Sequence, residues 1–237
     1  MNFCTESELA AWFAERYPAG HPEGIIFDCD GVVIDSRNAN IAYYNFYREY
    51  IGLPRLTQQQ EDFVHAATLN QALDAIIPVS LRPLLKYAAQ KISYDRDILP
   101  RITCFPDLHN VLRFCRKTGI RCGMATNRCD GMETLIAQCR LQGFFDPIVL
   151  ATDVPNPKPA PDGALRIAAA WKLAPSRLLF IGDSTSDRGA AENAGIPFLA
   201  FQTKGLAERA IADFATLLGA LQNQAGSLPQ HFTAGDL

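Results

Sequence analysis

The chain has 237 residues, 48% of them hydrophobic, and its 22 Lys+Arg against 25 Asp+Glu give a formal net charge of -3. That is enough for one large domain with a smaller insert and a buried core. No basic block and no run near the ~20 apolar residues of a membrane span occurs, which excludes the usual footprints of nucleic-acid binding, anionic membrane surfaces and transmembrane anchors.

Seven cysteines (Cys4, Cys29, Cys104, Cys115, Cys122, Cys129 and Cys139) form no Cys-x-x-Cys pair. The odd count argues against a disulfide framework and against a zinc site, so they read as small buried hydrophobes. The expectation is a soluble, reduced, cytoplasmic enzyme.

In chain order, the spacing predicts an amphipathic helix over 6–17, a break over 18–23, and a buried strand Gly24-Ile25-Ile26-Phe27 that stops at Asp28 and Asp30. Residues 38–50 place Tyr43, Phe46, Tyr47 and Tyr50 at helical spacing, an aromatic stripe that reads as helix core, and Gly52-Leu53-Pro54 ends it. Further helices are predicted over 58–68, 69–76 and 80–93, the last with Pro83 in its first turn.

From about residue 104 strands alternate with helices: helix 107–118, strand 121–125, helix 132–139, strand 148–151, helix 163–171, strand 178–181, helix 188–194 and strand 197–201. A helix over 206–222 and a polar, frayed tail over 224–237 complete the chain. Alternation of this kind means βαβ units, a parallel sheet and right-handed crossovers. The fold class is α/β, with core segments 1–36 and 100–237 and a helical insert over 37–99.

Chemistry gathers at the predicted strand ends, where open α/β sheets bind ligands. Asp28 and Asp30, one residue apart, would repel each other unless they share a divalent cation or a proton. The apolar Val32-Val33-Ile34 that follows does not fit a calcium loop. Thr126-Asn127-Arg128 offers a hydroxyl, an amide and backbone N–H groups suited to phosphate oxygens, although Thr-Asn is also a common helix cap. Prolines stiffen the loop around Lys158, and strand 178–181 runs into Asp183 and Asp187, which could equally be an acid-rich helix cap.

Taken together, Asp28-Cys29-Asp30-Gly31-Val32, Thr126-Asn127, Lys158-Pro159 and Gly182-Asp183 through Asp187 closely resemble the four motifs of the haloacid dehalogenase superfamily. Asp35-Ser36, the Lys158-Pro159-Ala160-Pro161 run and the Ala190-Ala191 to Ala194-Gly195 pattern resemble its phosphoglycolate phosphatase and β-phosphoglucomutase branch. The resemblance implies a Rossmann-like core flanked by helices, with an all-helical cap inserted after the first strand.

It also implies roles that agree with the chemistry. Asp28 is the nucleophile that forms an aspartyl-phosphate, and Asp30 is the general acid and base. Mg²⁺ is held by the carboxylates of Asp28 and Asp183 and by the Asp30 backbone carbonyl, with Asp187 one step behind the ligands. Thr126, Asn127, Lys158 and the loop N–H groups around Gly31 face the phosphoryl oxygens. An acid at position 30 argues against a true dehalogenase, and the lack of membrane spans removes the cation-pump branch.

The cap is expected to select a small phosphorylated metabolite, with His65, Arg82 and Lys86 among its polar candidates. Arg128 extends the second motif with a cation suited to a second anionic group on the substrate. The reading is a Mg²⁺-dependent phosphatase for phosphate monoesters. A phosphomutase of the β-phosphoglucomutase type and a non-catalytic phosphate-binding or regulatory protein on the same fold are the alternatives. Oligomeric state is not legible.

Overall fold

The computed structural model describes residues 2–66, 69–129 and 131–225, and the chain divides into two compact units, Met1–Val33 with Phe105–Leu237, and Ile34–Cys104. In chain order the strands are β1 (Gly24–Phe27), β2 (Ile34–Asp35), β3 (Thr103–Cys104), β4 (Arg121–Ala125), β5 (Ile148–Val149), β6 (Leu178–Gly182), β7 (Phe198–Phe201) and β8 (Ala210–Ile211). The helices are α1 (Glu6–Arg16), α2 (Arg37–Tyr50), α3 (Gln58–Ala66), α4 (Leu69–Ile76), α5 (Leu85–Ala89), α6 (Leu108–Thr118), α7 (Met132–Gln138), α8 (Asp162–Trp171), α9 (Thr185–Ala194) and α10 (Phe214–Ala225).

The first unit is built on a six-stranded sheet in the order β5-β4-β1-β6-β7-β8, with every neighbouring pair parallel. β1 and β6 are buried throughout, as expected of strands with helices on both faces. Successive side chains of β1 point to opposite faces. Ile26 joins Ile167, Ala168 and Trp171 of α8 and Ala191 and Ala194 of α9. Phe27 meets Phe145 at 5.7 Å and Phe214 of α10 at 6.2 Å, and Phe214 stacks on Phe201 of β7 at 4.6 Å. Each such fully buried ring contributes about 1.5–3 kcal/mol of apolar burial.

The second unit, described by itself, is helical apart from a two-residue antiparallel pairing of β2 with β3, Ile34 opposite Cys104 and Asp35 opposite Thr103. Its core gathers Tyr44, Leu56, Val64, Ala72, Ile76 and Ile77. Two buried polar side chains tie its loops down: Arg48 donates to the carbonyl oxygens of Pro54 and Ile76 at 2.7 and 2.5 Å, and Asn45 Oδ1 accepts from the Leu56 N–H at 2.7 Å.

Three local expectations change. Residues 206–213 are not helical: β8 pairs there with β7, and α10 starts only at Phe214, where Asp213 Oδ1 accepts from the Thr216 N–H at 2.8 Å. The predicted helix 80–93 is a 3₁₀ turn over Val79–Leu84 followed by the short α5, because Pro83 has no N–H to continue an α-helical ladder. In α2 the buried rings are Tyr44 and Tyr47, whereas Tyr50 of the expected stripe is 45% exposed. The predicted tail falls outside the described residues from 226 onward. None of the helices among the described residues is long and apolar enough to cross a membrane.

Candidate active site

Parallel pairing brings three motif-bearing strand ends level. Phe27 lies opposite Met124 of β4 and Ile181 of β6, so Asp28, Thr126 and Asp183 all emerge at the carboxyl edge of adjacent strands. Main-chain bonds extend the ladder past the strands: the Asp28 N–H donates to Ile181 O at 2.9 Å, and the Thr126 N–H to Val149 O at 3.0 Å.

At that edge Lys158 Nζ lies 2.5 Å from Asp28 Oδ1 and 2.5 Å from Asp187 Oδ1, with the lysine and both carboxylates almost fully buried. One ligand atom from each of Asp28, Asp183 and Asp187 falls within 4.8 Å of the other two. Three carboxylates and one ammonium leave an excess of negative charge in a desolvated space. The titration of the site reflects this. Burial pushes Asp28 up to about 7, with the Lys158 charge opposing the rise. Burial, then the charges of Asp28 and Asp187, push Asp183 up to about 7 as well. Burial alone would lower Lys158, but the two carboxylates more than offset it and hold the ammonium above its ordinary value.

Asp28 and Asp183 fit a hard divalent cation, since both are carboxylates converging on one point and both favour protonation when no other positive charge is near. Gly31 supports that reading. Its φ is +82°, and a Cβ there would lie 1.9 Å from Asp183 Oδ2, so only glycine lets the β1 loop pass this close to the carboxylate.

The surrounding bonds separate the acids. Asp187 Oδ1 is engaged by Lys158, and Oδ2 accepts from Ser184 N at 3.1 Å and Ser184 Oγ at 2.5 Å, closing a capping box at the start of α9. Both its oxygens therefore serve the protein. The carbonyl of Asp183 accepts from Thr203 Oγ1 at 2.9 Å, which fixes the turn after β6 from the loop after β7. Asn127 brackets Lys158, donating from Nδ2 to its carbonyl and accepting at Oδ1 from its N–H, each at 3.0 Å. Thr126 is buried, and its Oγ1 accepts from the Arg128 N–H at 3.1 Å.

Asp30 turns to a different partner. Arg128 Nη1 lies 2.9 Å from both of its carboxylate oxygens. The first unit thus brings together Asp28, Asp30, Gly31, Thr126, Asn127, Arg128, Lys158, Asp183 and Asp187. Arg82 and Lys86 belong to the other unit, where Arg82 pairs with Asp74 at 2.6 Å and Lys86 lies over the Tyr87 ring at 4.9 Å. The His65 side chain lies outside the described residues.

Two contributors were not singled out from sequence. Ser184 carries a readable signal, a Ser three residues before an acid at a helix start. Thr203 carries none, because its bond to Asp183 O joins loops twenty residues apart.

The haloacid dehalogenase-like hydrolase family model matches residues 25–201. The phosphoglycolate phosphatase of Escherichia coli K12 is 33% identical over 94 residues, a stretch covering 39% of this chain and only 37% of that enzyme. The phosphoglycolate phosphatase of Pseudomonas putida is 26% identical over 201 residues, covering 78% of this chain and 71% of the relative. Among solved structures, a HAD-superfamily hydrolase of subfamily IA from Geobacter sulfurreducens superposes with a TM-score of 0.75 at 28% identity, over 84% of this chain and 97% of that one. A HAD family hydrolase from Deinococcus radiodurans, solved with bound phosphate and sodium, shares the fold with a TM-score of 0.69 at 19% identity, over 87% and 97% of the two chains.

Proposed function

The chain belongs to the haloacid dehalogenase-like hydrolase family, and on that premise we propose that it is a Mg²⁺-dependent phosphatase for small phosphate monoesters that works through an aspartyl-phosphate on Asp28. The observation that carries this reading is the buried Asp28–Lys158–Asp187 chain, with Asp183 beside it, at the carboxyl ends of neighbouring strands.

An Asp28 oxygen attacks phosphorus and the ester P–O bond breaks. Asp30 gives its proton to the departing oxygen. Water then attacks the phosphorus of the acyl phosphate while Asp30 takes the water's proton, and cleavage of the bond to Asp28 releases inorganic phosphate and restores both acids. Lys158, held between two carboxylates and bracketed by Asn127, presents a fixed ammonium to the phosphoryl oxygens, and the Thr126 hydroxyl adds a donor beside it.

Asp28 and Asp183 would hold Mg²⁺, with Asp30 contributing its backbone carbonyl. The metal's chemistry there is charge compensation between an anionic substrate and an anionic nucleophile. Asp187 instead holds Lys158.

Release of 4-nitrophenol from 4-nitrophenyl phosphate in Mg²⁺, compared between the native chain and Asp28→Asn, tests the reading. Loss of turnover in the variant is expected, and equal release from both would overturn an Asp28 nucleophile.

A further inference from the structure

Unlike Asp28 and Asp187, Asp30 does not share Lys158. Lys158 is committed to Asp28 and Asp187 at 2.5 Å each, and the carboxylate two residues along the chain pairs with a different cation. Arg128 is that cation, with Nη1 at 2.9 Å from Oδ1 and 2.9 Å from Oδ2.

The two partners are not equally fixed. The Arg128 side chain is 16% exposed and that of Asp30 is 38% exposed. The arginine main chain is also held on both sides: its N–H donates to Thr126 Oγ1 at 3.1 Å, and its carbonyl accepts from the Ala151 N–H at 3.1 Å. Arg128 is therefore the anchor and Asp30 the group it places.

The contact has a particular shape. An arginine fork grips a carboxylate through two nitrogens and fixes its plane. Here a single nitrogen sits symmetrically against both oxygens, which fixes the carboxylate's position while leaving it free to turn about that nitrogen. A group that must first give a proton to one oxygen and later take one from another, as the phosphatase reading requires of Asp30, needs that combination.

We propose that Arg128 is the positioning residue for Asp30, a half-buried pivot that aims the proton-carrying carboxylate at the leaving oxygen, a role that rests on the phosphatase reading above.

Leaving-group dependence separates this role from a structural one. 4-Nitrophenolate departs without a proton, whereas an alkoxide departs only with one. With Arg128→Gln, kcat/KM is expected to fall about a hundredfold on an alkyl phosphate such as glycerol phosphate, and no more than about threefold on 4-nitrophenyl phosphate. Because one nitrogen makes the contact, Arg128→Lys should recover most of the loss, and it also serves if the glutamine variant folds poorly. In an Asp30→Asn background, Arg128→Gln should cost nothing further, since the group it places is gone.

An equal loss on both substrates, no recovery by lysine, or additive losses in the double variant would overturn the assignment. Asp28→Asn, run in parallel, keeps the two failures apart: turnover surviving there removes the phosphatase reading itself, while a dead Asp28→Asn beside a uniform Arg128→Gln loss removes only the pivot.

Discussion

Asp187, with no exposed surface, accepts a hydrogen bond from Lys158 Nζ at 2.5 Å, and this contact gives the lysine its place. Asp187→Ala leaves Lys158 still paired with Asp28, so the cost stays below the ~3–5 kcal/mol of leaving a buried charge with no partner. Asp187→Ala also loses the cap on α9 made through Ser184. We expect denaturant unfolding of Asp187→Ala to show a stability loss of about 1–3 kcal/mol, with phosphatase activity falling further than in Ser184→Ala, which loses only the cap.

Gly31→Ala is expected to be far more damaging than Gly119→Ala. Both glycines sit at positive φ, +82° and +79°, so both variants carry the same backbone strain of about 1–2 kcal/mol. Only at Gly31 does the new methyl meet a carboxylate, at 1.9 Å from Asp183 Oδ2, whereas nothing lies within 4 Å of the Gly119 position. Calorimetric titration should find Mg²⁺ binding abolished or weakened by at least about tenfold in Gly31→Ala and unaltered in Gly119→Ala. Equal affinities would show that Asp183 has room to move.

The Asn127 side chain is expected to act through Lys158. Its two 3.0 Å bonds both end on the Lys158 main chain, so Asn127→Ala frees the loop that carries the ammonium. Turnover should fall about tenfold, and inhibition by inorganic phosphate should weaken with it, because the proposed mechanism has the same ammonium face product. Asn127→Asp keeps the acceptor for the Lys158 N–H, loses the donor to its carbonyl and should lie between the two.

The sequence makes the site legible where a buried strand stops abruptly at charge. Gly24-Ile25-Ile26-Phe27 can only be a strand with both faces covered, so Asp28 has to emerge at its end. The same reasoning places Thr126 and Asp183. What it cannot supply is the partner of each side chain. Nothing in the spacing of Asp30 and Arg128, 98 residues apart, shows that they meet, and an arginine after Thr-Asn reads equally well as a cation for substrate. Three of the four two-residue strands were lost for a different reason. β2, β3 and β8 are too short to display a period of two, and Leu206, Ala210 and Ile211 keep a helical spacing although β7 claims Ala210 and Ile211 as an edge strand. Tertiary pairing, not local preference, decides such segments.

Mg²⁺ binding is expected to be linked to proton release below neutrality. Burial, and then the charges of Asp28 and Asp187, raise Asp183 to about 7, and burial raises Asp28 to about 7. A carboxyl raised in the folded state binds its proton more tightly there than in the unfolded chain. The stabilisation this brings is complete below the unfolded value of about 4 and is lost as pH rises through about 7. Metal-free protein should therefore lose melting temperature over that interval relative to Asp183→Asn, which has no such proton. Added Mg²⁺ should restore it, most strongly at the alkaline end, because the cation replaces the protons as the compensating charge. Titration calorimetry in two buffers of different ionisation heat would count the protons released. Affinity should rise with pH up to about 7 and level off above it. A dissociation constant that stays flat across that range would mean the carboxylates are already ionised without metal, compensated by Lys158 alone.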